Sequence, residues 1–205
     1  RNLMYFPGGL RPVLHFAQEP EILAVTPEEG ITLEGFYWPA KDNKPTLVYF
    51  HGNGQAYQHW MNKVGVYTQE GYGVLFTDYR GYGGANGKPT EQGIYLDARS
   101  FIKALNAEKS VPFNQMVYYG ESLGSGVAIQ MATEIRPKAI ILESPFSATI
   151  DVAKERYRIF AVEWLMKDQY RSREKIGALD IPKFIVHGQK DMIIPIRFGR
   201  RLYEA

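Results

Sequence analysis

Short apolar segments alternate along this chain with longer segments of helical periodicity. The short segments are rich in β-branched and aromatic residues, which is typical of strands that are buried on both faces of a sheet. They comprise residues 46–50, 73–77, 116–119, 139–142 and 184–186. The helical segments comprise residues 57–70, 90–108, 123–135 and 195–205. This alternation predicts an α/β fold with a mainly parallel sheet and helices on both faces.

Two further segments of strand character, near residues 21–26 and 31–38, are separated by the turn sequence Pro27-Glu28-Glu29-Gly30. They predict an antiparallel hairpin at the edge of the sheet. The 205 residues suffice for one such domain, and no repeat or low-complexity linker divides them. We therefore predict a single domain over residues 1–205, with a small cap formed by about residues 144–179.

The composition excludes several classes of function. The chain has no cysteine, which excludes disulfide bonds, thiolate nucleophiles and cysteine-ligated zinc. Its 24 basic and 22 acidic residues nearly balance, and its densest basic stretches are interleaved with acids, so we expect no nucleic-acid partner. No stretch approaches the roughly 18 apolar residues of a membrane-spanning helix.

The sequence Gly120-Glu121-Ser122-Leu123-Gly124 directly follows a predicted strand and precedes a predicted helix. A serine at such a tight turn needs small neighbours, here Gly120 and Gly124, and its hydroxyl is held out at the carboxyl end of the sheet. The start of the helix favours negative charge that develops beside it. This pattern predicts Ser122 as the nucleophile of an acyl-transfer reaction.

A second loop, His51-Gly52-Asn53-Gly54, follows another predicted strand. Acyl transfer needs two backbone N–H groups that point at the tetrahedral oxyanion. In this architecture one amide belongs to the residue after the nucleophile, Leu123, and we predict that the other belongs to Asn53. Gly52 and Gly54 let the loop pass close to the substrate. We interpret His51 mainly as a support of the loop, and a catalytic role stays open.

The acid that orients the base is predicted in the sequence His187-Gly188-Gln189-Lys190-Asp191. Asp191 follows the last predicted strand and stands after Ser122 in the order nucleophile, acid, histidine. Glu143, at the end of the strand 139–142, is the alternative acid, and the loop spacing favours Asp191. An isolated aspartate in such a loop also has a purely structural interpretation as a helix cap.

Five motifs in this order resemble one group of proteins: the three loops above, Asp78-Tyr79-Arg80-Gly81-Tyr82-Gly83-Gly84, and Glu143-Ser144-Pro145-Phe146. The group is the alpha/beta-hydrolase superfamily, and within it the minimal-cap serine hydrolases related to the bud-emergence protein and to membrane-anchored depalmitoylases. The likeness covers about residues 3–205. It implies a hydrolase of small or acyl-chain esters or thioesters, often membrane-associated through an amino-terminal segment. We expect no metal and no cofactor.

In the resembled group the catalytic histidine follows one more strand after the helix that begins near Pro195. All four histidines of this chain precede Asp191: His15, His51, His59 and His187. We therefore expect the base, a final strand and a final helix to lie beyond Ala205, and the 205-residue chain to be nearly inactive. The open edge at residues 184–186 would favour self-association. The location stays open between membrane-associated and cytoplasmic.

Two other functions stay open at this point. A peptidase of the same fold usually carries a larger cap to select peptides, whereas only residues 144–179 are available here. A non-catalytic binding or scaffold protein is compatible with the absent histidine. The apolar residues of the cap segment are interpreted either as core or as a wall for an acyl chain. They are Ile159, Phe160, Val162, Trp164, Leu165 and Met166.

Overall fold

The structure, a computed structural model, describes residues 4–54, 56–157 and 166–205. The described residues form a sheet of seven strands in the order β1-β2-β4-β3-β5-β6-β7. The strands are β1 Glu21–Glu28, β2 Ile31–Trp38, β3 Thr46–Phe50, β4 Gly73–Thr77, β5 Met116–Glu121, β6 Ala139–Glu143 and β7 Lys183–Val186. β3 to β7 run parallel to one another, whereas β2 pairs antiparallel with both β1 and β4. The predicted fold class is confirmed.

Helices connect the parallel strands, and a further helix follows β7. They are α1 Tyr57–Gln69, α2 Glu91–Lys109, α3 Leu123–Glu134, α4 Thr149–Tyr157, α5 Arg173–Ile176 and α6 Ile196–Tyr203. α2 begins where the Thr90 hydroxyl oxygen accepts a 3.0 Å hydrogen bond from the Gly93 amide. None of the helices in the described residues combines the length and the apolar character that crossing a lipid bilayer requires.

Different helices cover the two faces of the sheet. On one face, α1 packs with Trp60 against alternate residues of β3, Leu47 and Tyr49. On the other face, α2 and α3 pack against the intervening residues, Val48 and Phe50. Because successive strand residues point to opposite faces, a strand such as β3, with four consecutive apolar residues, is buried completely.

The amino-terminal hairpin is present, but β1 extends through Glu28 rather than ending near Thr26. A bulge interrupts its pairing with β2 between Val25 and Glu28. The bulge accommodates Pro27, which has no amide to donate to the ladder. The chain then reverses at Gly30, whose φ of 78° favours glycine.

β7 forms an edge of the described sheet and pairs only with β6. Phe184 is 61 % exposed and Val186 is 44 % exposed, because the described helices cover only the opposite face of β7, where Ile185 packs. The prediction of a strand buried on both faces is therefore wrong for β7.

The extent of the predicted cap over residues 144–179 stays a prediction. Its described part contains α4 and α5. Most of the residues interpreted as core or as an acyl-chain wall lie outside the described residues: Ile159, Phe160, Val162, Trp164 and Leu165. Met166 is described and is half-buried.

Candidate active site

Ser122 lies between β5 and α3 with φ 50° and ψ −113°, a conformation that L residues rarely adopt. Close packing fixes this turn, since a Cβ on Gly120 would lie 2.4 Å from the carbonyl oxygen of Gly124. The Ser122 amide donates a 2.9 Å hydrogen bond to the carbonyl oxygen of Glu143. The Ser122 carbonyl oxygen accepts from the amide of Ser125, also at 2.9 Å. Strained residues persist only where their surroundings fix them, and they cluster at functional sites.

The loop after β3 lies directly beside Ser122. A Cβ on Gly52 would stand 3.5 Å from the Cβ of Ser122, and Gly54 has a φ of 102°. Leu123 is the first residue of α3, so its amide has no acceptor within the helix. The structure thus brings the Asn53 loop and the Leu123 amide to the edge of the sheet that carries the serine. An oxyanion site requires this arrangement.

The side chain of Asn53 ties this loop to the amino-terminal segment. Its Nδ2 donates to the carbonyl oxygen of Met4 at 2.6 Å. Its Oδ1 accepts from the amide of Phe6 at 2.9 Å and from the hydroxyl of Tyr82 at 2.7 Å. Both ends of the side-chain amide are engaged. The group of Asn53 that can donate a hydrogen bond to an oxyanion is therefore its backbone N–H.

His51 is completely buried beneath the loop. Its Nδ1 lies 2.7 Å from the carbonyl oxygen of Gly52, and its Nε2 lies 3.1 Å from Oδ1 of Asp78. Its ring packs on Tyr79, with 4.2 Å between the ring centroids. An imidazole that is engaged at both nitrogens inside the core supports the loop and is not free to accept a proton from Ser122.

Asp78 is the charged centre of this support. Besides His51, it accepts hydrogen bonds from Arg11 at 3.1 Å and from the Tyr57 hydroxyl at 2.8 Å. Burial by itself would raise the pKa of Asp78, but the hydrogen bonds and charges of His51 and Arg11, with the Tyr57 bond, lower it below its ordinary value. The sequence interpretation quoted Asp78 only as part of a motif and missed this role.

Asp191 lies in the loop after β7, where its Oδ1 accepts from the amides of Ile193 at 2.9 Å and Ile194 at 2.8 Å. Burial by itself would raise the pKa of Asp191. The two amide bonds, a hydrogen bond from Ser144 and the neighbouring His187 outweigh burial and lower this pKa. The carboxyl group is therefore ionised at neutral pH, as an acid that orients an imidazole must be.

Backbone hydrogen bonds tie the carboxyl ends of β5, β6 and β7 together. The Ser122 amide binds the carbonyl oxygen of Glu143, and the Ser144 amide binds that of Val186 at 2.8 Å. Ser144 also contacts Asp191 through its side chain. Ser122, Ser144 and Asp191 thus follow one another across three neighbouring strands.

The alternative acid, Glu143, is engaged elsewhere. Both of its carboxylate oxygens lie 2.7 Å from Nζ of Lys63, and the hydroxyl of Tyr119 donates to it at 2.6 Å. Lys63 also donates to Glu121 at 2.8 Å. We call Lys63, Glu121 and Glu143 the lysine–glutamate cluster. The sequence interpretation missed Lys63, because a lysine on a helix gives no sign of its partners on distant strands.

In residues 4–54, 56–157 and 166–205, no hydrogen bond joins the Ser122 hydroxyl to an imidazole. His187 Nε2 lies 2.6 Å from the carbonyl oxygen of Ile194, and its ring packs against Gly199. His15 and His59 are exposed. Over the same ranges, no group of three or more acidic residues and histidines is arranged to hold a metal ion.

Comparison with known proteins identifies the family of this chain. The family model described as serine aminopeptidase, S33, matches residues 41–166, more than half of the chain. The chain belongs to this family. It is a hydrolase of the alpha/beta-hydrolase superfamily, and it resembles the serine hydrolases that carry the ABHD name.

Curated proteins are similar to most or all of this chain. An uncharacterized protein of Mycobacterium tuberculosis is 32% identical over 209 residues, which cover 100% of this chain and 74% of that protein. The human protein ABHD12B is 32% identical over 185 residues, which cover 80% of this chain and 50% of that protein. Lysophosphatidylserine lipase ABHD12 of Rattus norvegicus is 32% identical over 184 residues, with 78% of this chain and 45% of the lipase covered. The chain thus matches half or less of these two mammalian relatives.

Solved structures share the fold. The esterase Pf2001 of Pyrococcus furiosus has a TM-score of 0.79 at 22% identity and covers 97% of this chain and 83% of its own. The acylaminoacyl peptidase of Pyrococcus horikoshii has a TM-score of 0.68 at 16% identity and covers 91% of this chain and 34% of its own. At these identities the likeness concerns the fold alone.

Proposed function

We propose that this chain carries the nucleophile of a serine esterase that cleaves carboxylic ester or thioester bonds of acyl-chain substrates. The observation that carries the proposal is the strained turn at Ser122, with φ 50°, and the loop at Gly52 that packs against it. A serine in this turn presents its hydroxyl to solvent beside two backbone amides, which is the arrangement that acyl transfer needs.

In the proposed reaction, Oγ of Ser122 attacks the carbonyl carbon of the substrate while a histidine takes the hydroxyl proton. The amides of Leu123 and Asn53 stabilise the negative charge on the carbonyl oxygen. The bond to the leaving oxygen or sulfur then breaks, and the leaving group takes the proton from the histidine. Water hydrolyses the acyl-serine by the same steps, and Asp191 holds the histidine in the required tautomer.

We further propose that this histidine lies beyond Ala205. The reason is the engagement of His51 and His187 described above, together with the exposure of His15 and His59. Removal of a triad member costs on the order of 10⁴–10⁶-fold in rate. The 205-residue chain is therefore expected to hydrolyse esters at a negligible rate.

For the substrate we propose the class of monoacyl lipid esters. Support comes from relatives named lysophosphatidylserine lipase, which are 32% identical to this chain over about three quarters of its length. A single acyl chain with a polar head would place one ester beside Ser122.

The test measures fluorophosphonate labelling and hydrolysis of p-nitrophenyl butyrate by the full-length protein. We expect one labelled site, its loss in Ser122→Ala, and activity that chelators leave unchanged. Labelling that persists in Ser122→Ala would refute the assignment of the nucleophile. Activity that chelators abolish and zinc restores would refute the mechanism.

A peptidase is the second candidate, favoured by the family description and by the likeness to an acylaminoacyl peptidase. Parallel assays with lysophosphatidylserine and with aminoacyl p-nitroanilides separate the two. Turnover of the lipid but not the anilides supports the esterase, and the opposite result supports the peptidase. A protein that turns over neither substrate and is not labelled at Ser122 would be a binding or scaffold protein.

A further inference from the structure

The lysine–glutamate cluster lies at the ends of the two strands that hold the nucleophile turn. Lys63, on α1, is 2.8 Å from Glu121 and 2.7 Å from Glu143. The three side chains are only 21, 17 and 27 % exposed, in the order Lys63, Glu121, Glu143. An exposed ion pair contributes little to stability, whereas charges that are largely withdrawn from water interact more strongly.

Both carboxylates belong to residues that hold Ser122 directly. Glu121 precedes Ser122 in the chain, and the carbonyl oxygen of Glu143 accepts the Ser122 amide at 2.9 Å. Lys63 therefore links the side chains on the two sides of that hydrogen bond. The cluster also reaches the loop that carries Asn53, because Oε1 of Glu121 is 3.6 Å from the position of a Cβ on Gly52.

Two negative charges share one positive charge in this cluster. Burial by itself would raise the pKa of Glu121, but the hydrogen bonds from Lys63 and Tyr49 lower it below its ordinary value. Burial would lower the pKa of Lys63, yet its hydrogen bonds to both carboxylates raise it. Burial also raises the pKa values of Tyr49 and Tyr119, which stay neutral donors. The Lys63 ammonium is thus the main group that lowers the pKa of Glu121, and it contacts Glu143 at the same time.

We propose that Lys63 is a positioning residue for the ester hydrolysis, because its ammonium holds Glu121 and Glu143 together and so fixes the turn at Ser122 and the loop at Gly52. This inference rests on the proposed function. Lys63 touches no reacting atom in this scheme and acts through the backbone of the two glutamates. A displacement of about 1 Å in such a turn can cost on the order of a hundredfold in rate.

Removal of the ammonium changes how the pair titrates. Without Lys63, Glu121 loses the hydrogen bond and the charge that lower its pKa, so the pKa of Glu121 rises beside the Glu143 carboxylate. Among the described residues, Tyr49 on β3 and Tyr119 on β5 donate to the pair, and burial raises the pKa of both, so they are neutral near pH 7. Tyr67 on α1 packs against Tyr119. As the pH rises through the elevated pKa, both carboxylates ionise, separate and distort the turn. The loss of activity in a Lys63 variant should therefore grow as pH rises.

The experiment uses the full-length protein and compares Lys63→Met, Lys63→Arg and the double variant Lys63→Met/Glu121→Gln. Lys103→Met, on the exposed side of α2, is the control. We measure kcat and KM for p-nitrophenyl butyrate from about pH 5.5 to about pH 8.5. The thermal unfolding midpoint of each variant is measured as well. Lys63→Met should lose about 10–100-fold in kcat at the alkaline end, with little change in KM and a smaller loss at the acidic end. Lys63→Arg and the double variant should recover most of kcat.

Three results would overturn the inference. One is a Lys63→Met variant with the kcat of the wild-type protein throughout the pH range. Another is a loss that is the same at every pH. The third is a loss that the Glu121→Gln substitution does not relieve. A wild-type protein that neither hydrolyses the ester nor is labelled at Ser122 would overturn the proposed function itself, and the inference with it.

Discussion

A Cβ on Gly124 would lie 1.9 Å from the carbonyl oxygen of Phe50. The first turn of α3 therefore touches the end of β3, and the contact leaves no room for a side chain. The same Cβ would lie 2.8 Å from the carbonyl oxygen of His51, the first residue of the loop that carries Asn53. This close approach sets the spacing between the turn at Ser122 and the loop that carries Asn53.

Gly124→Ala should lower the free energy of unfolding by about 3 kcal/mol or abolish folding, because the backbone of Phe50 cannot yield to the added methyl group. Gly65→Ala is the matched control, since Gly65 lies within α1 and a Cβ there meets no atom within 4 Å. It should stabilise the protein by about 1 kcal/mol. Urea unfolding of both variants measures the difference, and equal stability of the two would contradict the packing described.

The hydrogen bonds of the Asn53 side chain predict a second pair of effects. Tyr82→Phe removes one of them and should cost about 1 kcal/mol of unfolding free energy. Asn53→Ala removes all three and should cost more, about 2–3 kcal/mol. Because Asn53→Ala keeps the backbone N–H, its kcat should fall by about tenfold, less than for a lost oxyanion donor. Urea unfolding and ester hydrolysis check both, and a larger effect of Tyr82→Phe would contradict this ranking.

Because the pKa of Asp78 is lowered in the folded protein, we expect its contribution to the free energy of unfolding to depend on pH. A carboxyl group whose pKa is lower in the folded state stabilises the protein above its unfolded pKa, and this contribution is lost as pH falls through the folded pKa. Asp78→Asn should therefore be less stable than the wild type at pH 7, by about 3–5 kcal/mol, and should lose less stability below about pH 4. Urea unfolding at several pH values measures this, with Glu108→Gln, an exposed acid on α2, as the control. Parallel pH curves for Asp78→Asn and wild type would exclude the role of Asp78.

The sequence predicts most of the fold because the local periodicity of apolar residues indicates the strands and helices. β3 is apolar from Leu47 to Phe50, and α2 repeats its apolar residues at helical spacing. The turn at Ser122 is equally local, since glycines on both sides are needed where the backbone approaches itself. These features are readable from neighbours in the chain.

The partners of charged side chains cannot be predicted from neighbouring residues in the sequence. Lys63 donates hydrogen bonds to Glu121 and Glu143, which lie 58 and 80 positions later in the sequence. Arg11 donates one to Asp78, which lies 67 positions later. These pairs form only because α1 crosses the ends of β5 and β6, and because the amino-terminal segment runs past β4. Sequence reasoning finds the residues of a local motif, whereas the contacts that hold the motif in place depend on the tertiary structure.

The edge position of β7 predicts self-association of the 205-residue chain. Phe184 and Val186 are exposed on a strand that pairs on one side only in the described sheet. The Phe184→Glu/Val186→Glu variant should stay monomeric at concentrations at which the unmodified chain associates. Val66→Glu, an exposed apolar position on α1, is the control and should associate like the unmodified chain. Sedimentation velocity measures this, and a monomeric unmodified chain up to its solubility limit would contradict the prediction.

The two candidate acids predict opposite outcomes for conservative substitutions. Asp191→Asn in the full-length protein should lower kcat by about 10³–10⁴-fold, because the amide would favour the wrong tautomer of the histidine. Glu143→Gln should lower kcat by about tenfold at most, because Lys63 keeps its contact with Glu121 and the Glu143 backbone still accepts the Ser122 amide. Hydrolysis of p-nitrophenyl butyrate measures both variants, and thermal unfolding verifies that each is folded. A larger loss for Glu143→Gln than for Asp191→Asn would move the acid to the end of β6, and the order of the proposed triad would then be wrong.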